Sequence, residues 1–304
     1  MLCTIPGPSG TEFYIDADGS VNPPTPTLDP EVIASFNRDG YTIVRNLFTQ
    51  PECDHYSTYF TQMIERGGDG YAEEPVDTTH PDPLKRYPRL LQPHRRDAVA
   101  FSYMTDPRLR TTLTTLLDAE PYAVQTMVYF KPPNARGQAL HQDNMYLLAH
   151  PGTCIAAWLA LDDCDEHNGC MVFCPNTASL PIICQTPTPG LDLEHWQSIE
   201  TPRPPSSSTP KPAIMKRGDV VFFLGNVIHG SFKNRSENRF RRSVIAHYIV
   251  AEAKSVAKYY FPVYRMDGAQ VEGFQESAPG GPCGVYEDSG VAMKGTFKAW
   301  EEVH

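Results

Sequence analysis

A chain of 304 residues, 40% hydrophobic and 20% charged, has an ordinary globular composition and enough length to bury a sizeable core. Its formal net charge of −10 excludes a general nucleic-acid binder, whose affinity rests on Lys and Arg neutralising phosphates, but not a small anionic ligand held by local charge. No apolar run approaches the roughly 18 residues of a membrane span, and Met1–Gly10 lacks the charged start and apolar stretch of a secretory leader, so a cytoplasmic protein is expected.

Residues 1–28 are rich in Pro, Gly and Asp and are predicted to form an irregular arm ahead of a single domain over 29–304. Asp29 caps a first helix with Pro30 at its first position and Val32, Ile33 and Phe36 at helical spacing. A strand over 41–45 follows Asp39-Gly40, and further helices are predicted over 51–65 and 106–117. Between those two helices runs the most basic stretch of the chain, residues 85–96.

From residue 122 the pattern changes to short strands, predicted over 123–131, 138–148, 153–161, 170–174, 213–215, 219–224 and 241–250. Turn signals such as Pro132-Pro133, Pro151-Gly152, Asn168-Gly169 and Arg217-Gly218 separate them. A Pro/Ser/Thr-rich excursion over 181–212 cannot be core and is a loop or lid. A helical part (29–121) followed by a run of strands (122–265) predicts a mainly β fold with flanking helices, a double-stranded β-helix or jelly roll of cupin-like form. The eight cysteines form no Cys-x-x-Cys pair, and they are expected to be buried, reduced thiols.

His141-Gln142-Asp143 opens the apolar stretch that follows it, and its spacing has an internal control in His80-Pro81-Asp82. Residues i and i+2 of a strand share a face, so His141 and Asp143 both aim into the barrel, whereas Pro81 does not belong in an interior strand. On spacing alone, a polar surface patch is as good a reading of the first pair. A third group shifts the balance. Residues 218–229 run an apolar strand into His229, and two histidines with one carboxylate on one face form the triad that leaves positions open around a non-haem Fe(II). His247, mid-strand, is the competing ligand, and a hydrogen-bonded core histidine is its plainer reading. Arg239, Arg241 and Arg242 begin the last strand, where a fixed guanidinium would meet a buried carboxylate.

Taken as an ordered set, residues 126–133 (TMVYFKPP), Leu140-His-Gln-Asp143, Ala157-Trp158, Asn168-Gly169, residues 216–220 (KRGDV), His229-Gly-Ser231 and residues 239–243 (RFRRS) resemble the phytanoyl-CoA dioxygenase family of Fe(II)/2-oxoglutarate oxygenases over roughly residues 30–265. Residues 175–178 (PNTA) depart from the Pro-Gly-Ser-His often found there. The resemblance implies Fe(II) held by His141, Asp143 and His229, and the far carboxylate of 2-oxoglutarate held by Arg241, with Arg239 in reserve. It also implies Met127, Trp158 and Ser231 beside the cosubstrate. O2 is then the oxidant, with ascorbate supporting activity. The reaction implied is oxidation of an unactivated C–H bond of a small-molecule metabolite, by hydroxylation or desaturation, with release of succinate and CO2. Halogenation is disfavoured because the carboxylate ligand is present. A jelly-roll metalloprotein without 2-oxoglutarate, an isomerase or hydrolase, is the alternative. For substrate contacts, the basic stretch offers His94, Arg95 and Arg96 to an anionic group, with Trp196 of the excursion closing as part of a lid. Neither nucleic acid nor membrane is an expected partner, and monomer and homodimer both stay open.

Overall fold

Helix α1 (Pro30–Asp39) starts where Asp29 accepts a hydrogen bond from the Glu31 amide, and ends at Gly40, whose φ of 79° takes the left-handed turn. Helix α2 (Gln50–Glu65) carries a full capping box between Thr49 and Glu52. Helices α3 (Ala98–Met104) and α4 (Pro107–Leu117) follow, capped by Asp97 and Asp106. The computed structural model describes residues 28–184, 204–250, 252–287 and 290–297, together with the backbone of short strands at Cys3–Pro6, Glu12–Ile15, Val21–Asn22, Thr186–Pro187 and Glu200–Thr201.

Eleven strands build the double-stranded β-helix: β1 (Tyr41–Val44), β2 (Leu90–Leu91), β3 (Pro121–Lys131), β4 (Gln138–His141), β5 (Cys154–Ala160), β6 (Met171–Phe173), β7 (Lys211–Pro212), β8 (Val220–Leu224), β9 (His229–Ser231), β10 (Arg241–Val250) and β11 (Tyr264–Arg265). The large sheet has the order β11-β3-β10-β5-β8-β1, with β2 also paired to β3, and the small sheet has the order β7-β6-β9-β4. All these pairings are antiparallel.

Period-two alternation divides the large sheet into two working faces. Val128, Phe130, Leu159, Phe222, Val244, Ala246 and Tyr248 point outward and pack with Phe36, Phe60, Met63, Leu109 and Leu113 of the helices. Tyr103 of α3 fastens that layer, its hydroxyl donating to the carbonyls of Ala157 at 3.0 Å and Val244 at 3.3 Å. The inward residues Met127, Tyr129, Trp158, Val221, Phe223 and Ile245 meet Met171 and Phe173 of the small sheet.

Several expectations need correction. Residues 1–28 are not wholly irregular, because Cys3–Pro6, Glu12–Ile15 and Val21–Asn22 pair into a three-stranded antiparallel sheet. The strand predicted over 138–148 stops at His141, and the chain turns into a helical turn at Asn144–Leu147. Residues 213–215 form no strand but an isolated antiparallel bridge between Met215 and Cys164, with the Ala213 amide donating to the Met171 carbonyl, and the strand itself falls at Lys211–Pro212. The thiols are not all free: Cys184 is bonded to Cys283, tying the root of the 181–212 excursion to the hairpin Gly281–Glu287/Gly290–Phe297. Cys53, Cys154, Cys164, Cys170 and Cys174 are free and buried. Among the described residues no helix is long and apolar enough to cross a membrane.

Candidate active site

His229 in β9 lies directly across the strand pair from His141 in β4. Gly230 permits that approach, since a Cβ there would stand 2.7 Å from the Gln138 carbonyl oxygen. Each imidazole is anchored the same way. Nδ1 of His141 lies 2.8 Å from the Ala139 carbonyl, and Nδ1 of His229 lies 2.9 Å from that of Val227. Donation from Nδ1 fixes the tautomer and leaves both Nε2 lone pairs facing the space between the rings.

Asp143 closes the third side, its Oδ1 lying 3.3 Å from His141 Nε2 and 3.5 Å from His229 Nε2. One ligand atom from each of the three residues lies within 4.8 Å of the others, and all three are buried. Asp143 does not reach this place by strand phase. The chain leaves β4 after His141, and Asp143 takes helical φ/ψ of −61° and −33°. Gln142 stabilises the turn. Its amide donates to the carbonyls of Asn226 at 2.9 Å and Pro181 at 3.1 Å, and accepts from the Ile183 amide at 2.7 Å.

His247, the competing third ligand, stands behind the carboxylate, its Nε2 at hydrogen-bond distance, 3.0 Å, from Asp143 Oδ2. It thereby turns Oδ1 toward the other two imidazoles. Burial opposes ionisation of Asp143, but the imidazoles of His229, His141 and His247 that surround it outweigh burial and hold its carboxyl well below the usual range. Burial pushes His229 down to about 4 against the pull of Asp143, so near neutral pH it is an uncharged imidazole, the form that ligates a metal.

A second polar centre sits at the other end of the inner face. Arg241 pairs in register with Lys131 across β10 and β3. Its Nε donates to the Gly169 carbonyl at 3.2 Å and its Nη1 to Ser243 Oγ at 3.2 Å, and its guanidinium lies 5.3 Å from the Trp158 ring centroid. Lys131 Nζ donates to Ser231 Oγ and to the Phe232 carbonyl, both at 2.7 Å. Both cations are buried, and among the described residues neither forms an ion pair with a carboxylate. Desolvation lowers the pKa of each, and Arg241 lowers Lys131 further. Two hydrogen-bonded but unneutralised cations in one pocket form a receptor for an anion.

The turn that presents Arg241 depends on Asn168 and Gly169. The Asn168 amide donates to the Asp163 and Phe240 carbonyls at 2.7 and 3.1 Å, and Gly169 has φ 85° with Lys131 packed against it. Met127, Ile245 and Trp158 form one cross-strand row between the two polar centres. The structure thus brings His141, Asp143, His229, Ser231, Met127, Trp158 and Arg241 around one cavity. Arg239 lies outside it, paired with Asp165 at 2.8 Å. Lys131 escaped the sequence reading, although period two along β3 places it on the same face as Met127 and Tyr129.

A wider cavity of about 220 Å³ opens from the His141 and Asp143 side, walled by Leu91, Met127, Met145, Leu148, Tyr259 and Tyr260. His94, Arg95 and Arg96 do not line it, contrary to their expected substrate role. His94 packs on Thr126, 2.9 Å from its hydroxyl, and Thr126 alternates with Gln125 and Met127 on the opposite face of β3. Arg95 lies over the Tyr259 ring at 5.4 Å and Arg96 over Tyr71 at 5.2 Å. Two other cations line the cavity: Arg89, whose Nε lies 2.7 Å from Glu73, and Lys258. Trp196 falls outside the described residues.

A jelly roll with two histidines and one carboxylate converging on its inner face, and a buried cation pair farther along, defines a class of metal-dependent β-helix proteins. Within it, the family model for phytanoyl-CoA dioxygenase (PhyH) matches residues 36–243, and the chain belongs to that family. Peroxisomal phytanoyl-CoA dioxygenase of Rattus norvegicus is 24% identical over 258 residues, covering 76% of this chain and 72% of that protein. Phytanoyl-CoA dioxygenase 1 of Oryza sativa subsp. japonica is 28% identical over 213 residues, covering 66% of this chain and 68% of its own. Among solved structures, the apoform of EctD from S. alaskensis superposes with a TM-score of 0.60 at 19% identity, over 82% of this chain and 84% of that one. The epimerase SnoN, in complex with Fe3+, alpha ketoglutarate and nogalamycin RO, gives a TM-score of 0.57 at 20% identity, over 82% and 94%. These likenesses establish the jelly-roll fold.

Proposed function

We propose that the protein is a non-haem Fe(II)/2-oxoglutarate-dependent dioxygenase that hydroxylates, or otherwise oxidises, an unactivated C–H bond of a small-molecule metabolite. His141, Asp143 and His229 would hold Fe(II). Two uncharged imidazoles and one ionised carboxylate, with each Nδ1 anchored to backbone, are a fitting donor set for that ion. Arg241 would receive the far carboxylate of 2-oxoglutarate, with Lys131 and Ser231 beside it and Met127 and Trp158 as the apolar walls. When bound, the metal and cosubstrate supply O2 activation and the decarboxylation that yields succinate and CO2.

The chain's own part is positioning. His247 orients the Asp143 carboxylate, Gln142 holds the turn that carries it, and the apolar lining of the wider cavity keeps water from the reacting carbon. No side chain is required as general acid or base.

The observation that carries this reading is the buried Arg241–Lys131 pair without a carboxylate partner, on the same inner face as the triad. An isomerase or hydrolase using the metal alone has no use for it. Supporting it, the solved relatives named above include an enzyme with Fe3+ and alpha ketoglutarate bound. The test is succinate formation from 2-oxoglutarate across a panel of small molecules, with Fe(II), O2 and ascorbate to keep the iron reduced. Substrate-stimulated succinate supports the assignment; metal-dependent turnover of a panel member without 2-oxoglutarate would place the protein with the isomerases and hydrolases.

A further inference from the structure

Residues 180–184 lie between the strands that carry the proposed metal ligands and the hairpin Gly281–Glu287/Gly290–Phe297, and they are tied to both. On the ligand side, the Ile183 amide donates to Gln142 Oε1 at 2.7 Å, and the Pro181 carbonyl accepts from Gln142 Nε2 at 3.1 Å. Gln142 is the residue between His141 and Asp143. The Leu180 carbonyl accepts from the side-chain amide of Asn226 at 3.1 Å, three residues ahead of His229. Ile183 is buried with Ile228, and Leu140 packs against them; these two residues immediately precede His229 and His141. One short segment thus backs all three ligand positions.

On the hairpin side, the Cys184 amide donates to the Gly284 carbonyl at 2.9 Å, and the Gly284 amide donates to the Ile182 carbonyl at 2.8 Å. Val291 packs on the same apolar cluster as Ile183. The covalent tie is the bond between Cys184 and Cys283. Cys283 is buried and Cys184 half-buried, which makes Cys184 the more accessible of the pair. Cys53, Cys154, Cys164, Cys170 and Cys174 are free and buried, and burial pushes each thiol up, so near neutral pH they are protonated and inert. Among the described residues, thiol–disulfide chemistry falls to this one pair.

We propose that the Cys184–Cys283 bond positions the metal ligands and makes metal affinity depend on its redox state. Closed, it fixes Ile183 and with it the Gln142 turn that carries Asp143. Opening takes two electrons from a dithiol. A thiolate of the dithiol attacks Cys184 Sγ, the S–S bond breaks, and Cys283 leaves as a thiolate that takes up a proton. The second thiol then displaces Cys184, which is protonated in turn, and the reductant departs as its own disulfide. The two amide hydrogen bonds and the Val291 contact remain, so the segment loosens without detaching, and Asp143 loses orientation. The proposal rests on the reading that His141, Asp143 and His229 hold a metal, and not on which metal or cosubstrate.

The experiment uses the full chain with Co(II), whose visible absorption reports its ligand set, in competition with a chelator. Wild type is compared oxidised, reduced by dithiothreitol that is then removed anaerobically, and reoxidised. Cys184→Ser combined with Cys283→Ser is the second opened form, and it cannot hold Co(II) through freed thiols. Leu109→Ala, a truncation in helix α4 of the outer layer, controls for destabilisation at a distance. Circular dichroism follows the fold throughout. The expected result is that both opened forms bind Co(II) about tenfold more weakly, with an altered spectrum. Reoxidation should restore the wild type alone, and Leu109→Ala should bind as the oxidised wild type does. Unchanged affinity in either opened form, or equal weakening in Leu109→Ala, would overturn the proposal. So would loss of the whole fold on opening the bond, which would make it a general staple. Failure of the oxidised wild type to bind Co(II) would instead count against the metal reading, and is seen before any reductant is added.

Discussion

Replacing Arg241 by Ala removes a buried guanidinium whose protein contacts are a carbonyl, a hydroxyl and an indole face. Those contacts orient the fork without neutralising it, so the carboxylate of 2-oxoglutarate is its only full counter-charge in the proposed complex. Breaking a buried charge pair by deleting one partner costs about 3–5 kcal/mol. Lys131 remains, its Nζ 2.7 Å from Ser231 Oγ, and a second cation at that distance from the site places the loss at the lower end. About 3 kcal/mol is a weakening of roughly 100–200-fold in 2-oxoglutarate affinity. Calorimetric titration of 2-oxoglutarate into anaerobic, Mn(II)-loaded protein reads it directly. Arg241→Lys keeps the charge but not the two-pronged geometry, and should fall between wild type and Ala. Arg239→Ala should change nothing, because Arg239 is committed to Asp165 outside the cavity. Intact affinity in Arg241→Ala with loss in Arg239→Ala would refute the reasoning.

Three other outcomes follow from single contacts. His247→Leu should lower metal affinity about 10–100-fold in chelator competition, because Asp143 Oδ2 loses the donor at 3.0 Å that orients it, whereas His247→Gln should retain most of it; equal affinities in both variants contradict that role. Burial pushes His94 down to about 3, so below pH 6.5 the unfolded chain takes up a proton that the folded protein refuses. His94 therefore contributes stability present above pH 6.5 and lost as the pH falls toward 3, about 2–3 kcal/mol between pH 7 and 4.5, and urea unfolding of His94→Asn should show a correspondingly flatter pH dependence. Cys184→Ser opens a bond that spans 99 residues and should cost about 2–4 kcal/mol in denaturant unfolding, with peptide mapping of the wild type recovering Cys184 linked to Cys283; two free thiols at full stability would contradict the pairing.

What was legible in the sequence was what depends on local periodicity. Alternation along residues 123–131 and 241–250 gave the two central strands within two residues of their ends, and the apolar run singled out His229, although the segment read there as a glycine-containing turn is the strand β9. Asp143 was found for an incomplete reason: its spacing from His141 is that of a strand, but its position depends on Gln142, whose partners at 181, 183 and 226 lie far along the chain. Lys131 looks like an ordinary strand residue until its burial beside Ser231 and Arg241 is known. The basic stretch misled because composition does not report direction. His94 follows Thr126 to the outer side of β3, and Arg89, five residues earlier, turns to the inner one. The disulfide joins residues with no motif between them, so nothing local announces it.

2-Oxoglutarate is proposed to bind a metal on His141, Asp143 and His229 as well as Arg241, so its tight binding requires that metal. Anaerobic equilibrium dialysis with Fe(II) and 2-oxoglutarate measures it, run with wild type and with His229→Ala, and with and without the metal. The account predicts one Fe(II) and one 2-oxoglutarate per wild-type chain, weak 2-oxoglutarate retention without Fe(II), and loss of both ligands in His229→Ala. Equal retention of 2-oxoglutarate with and without metal, or full Fe(II) binding by His229→Ala, would contradict it.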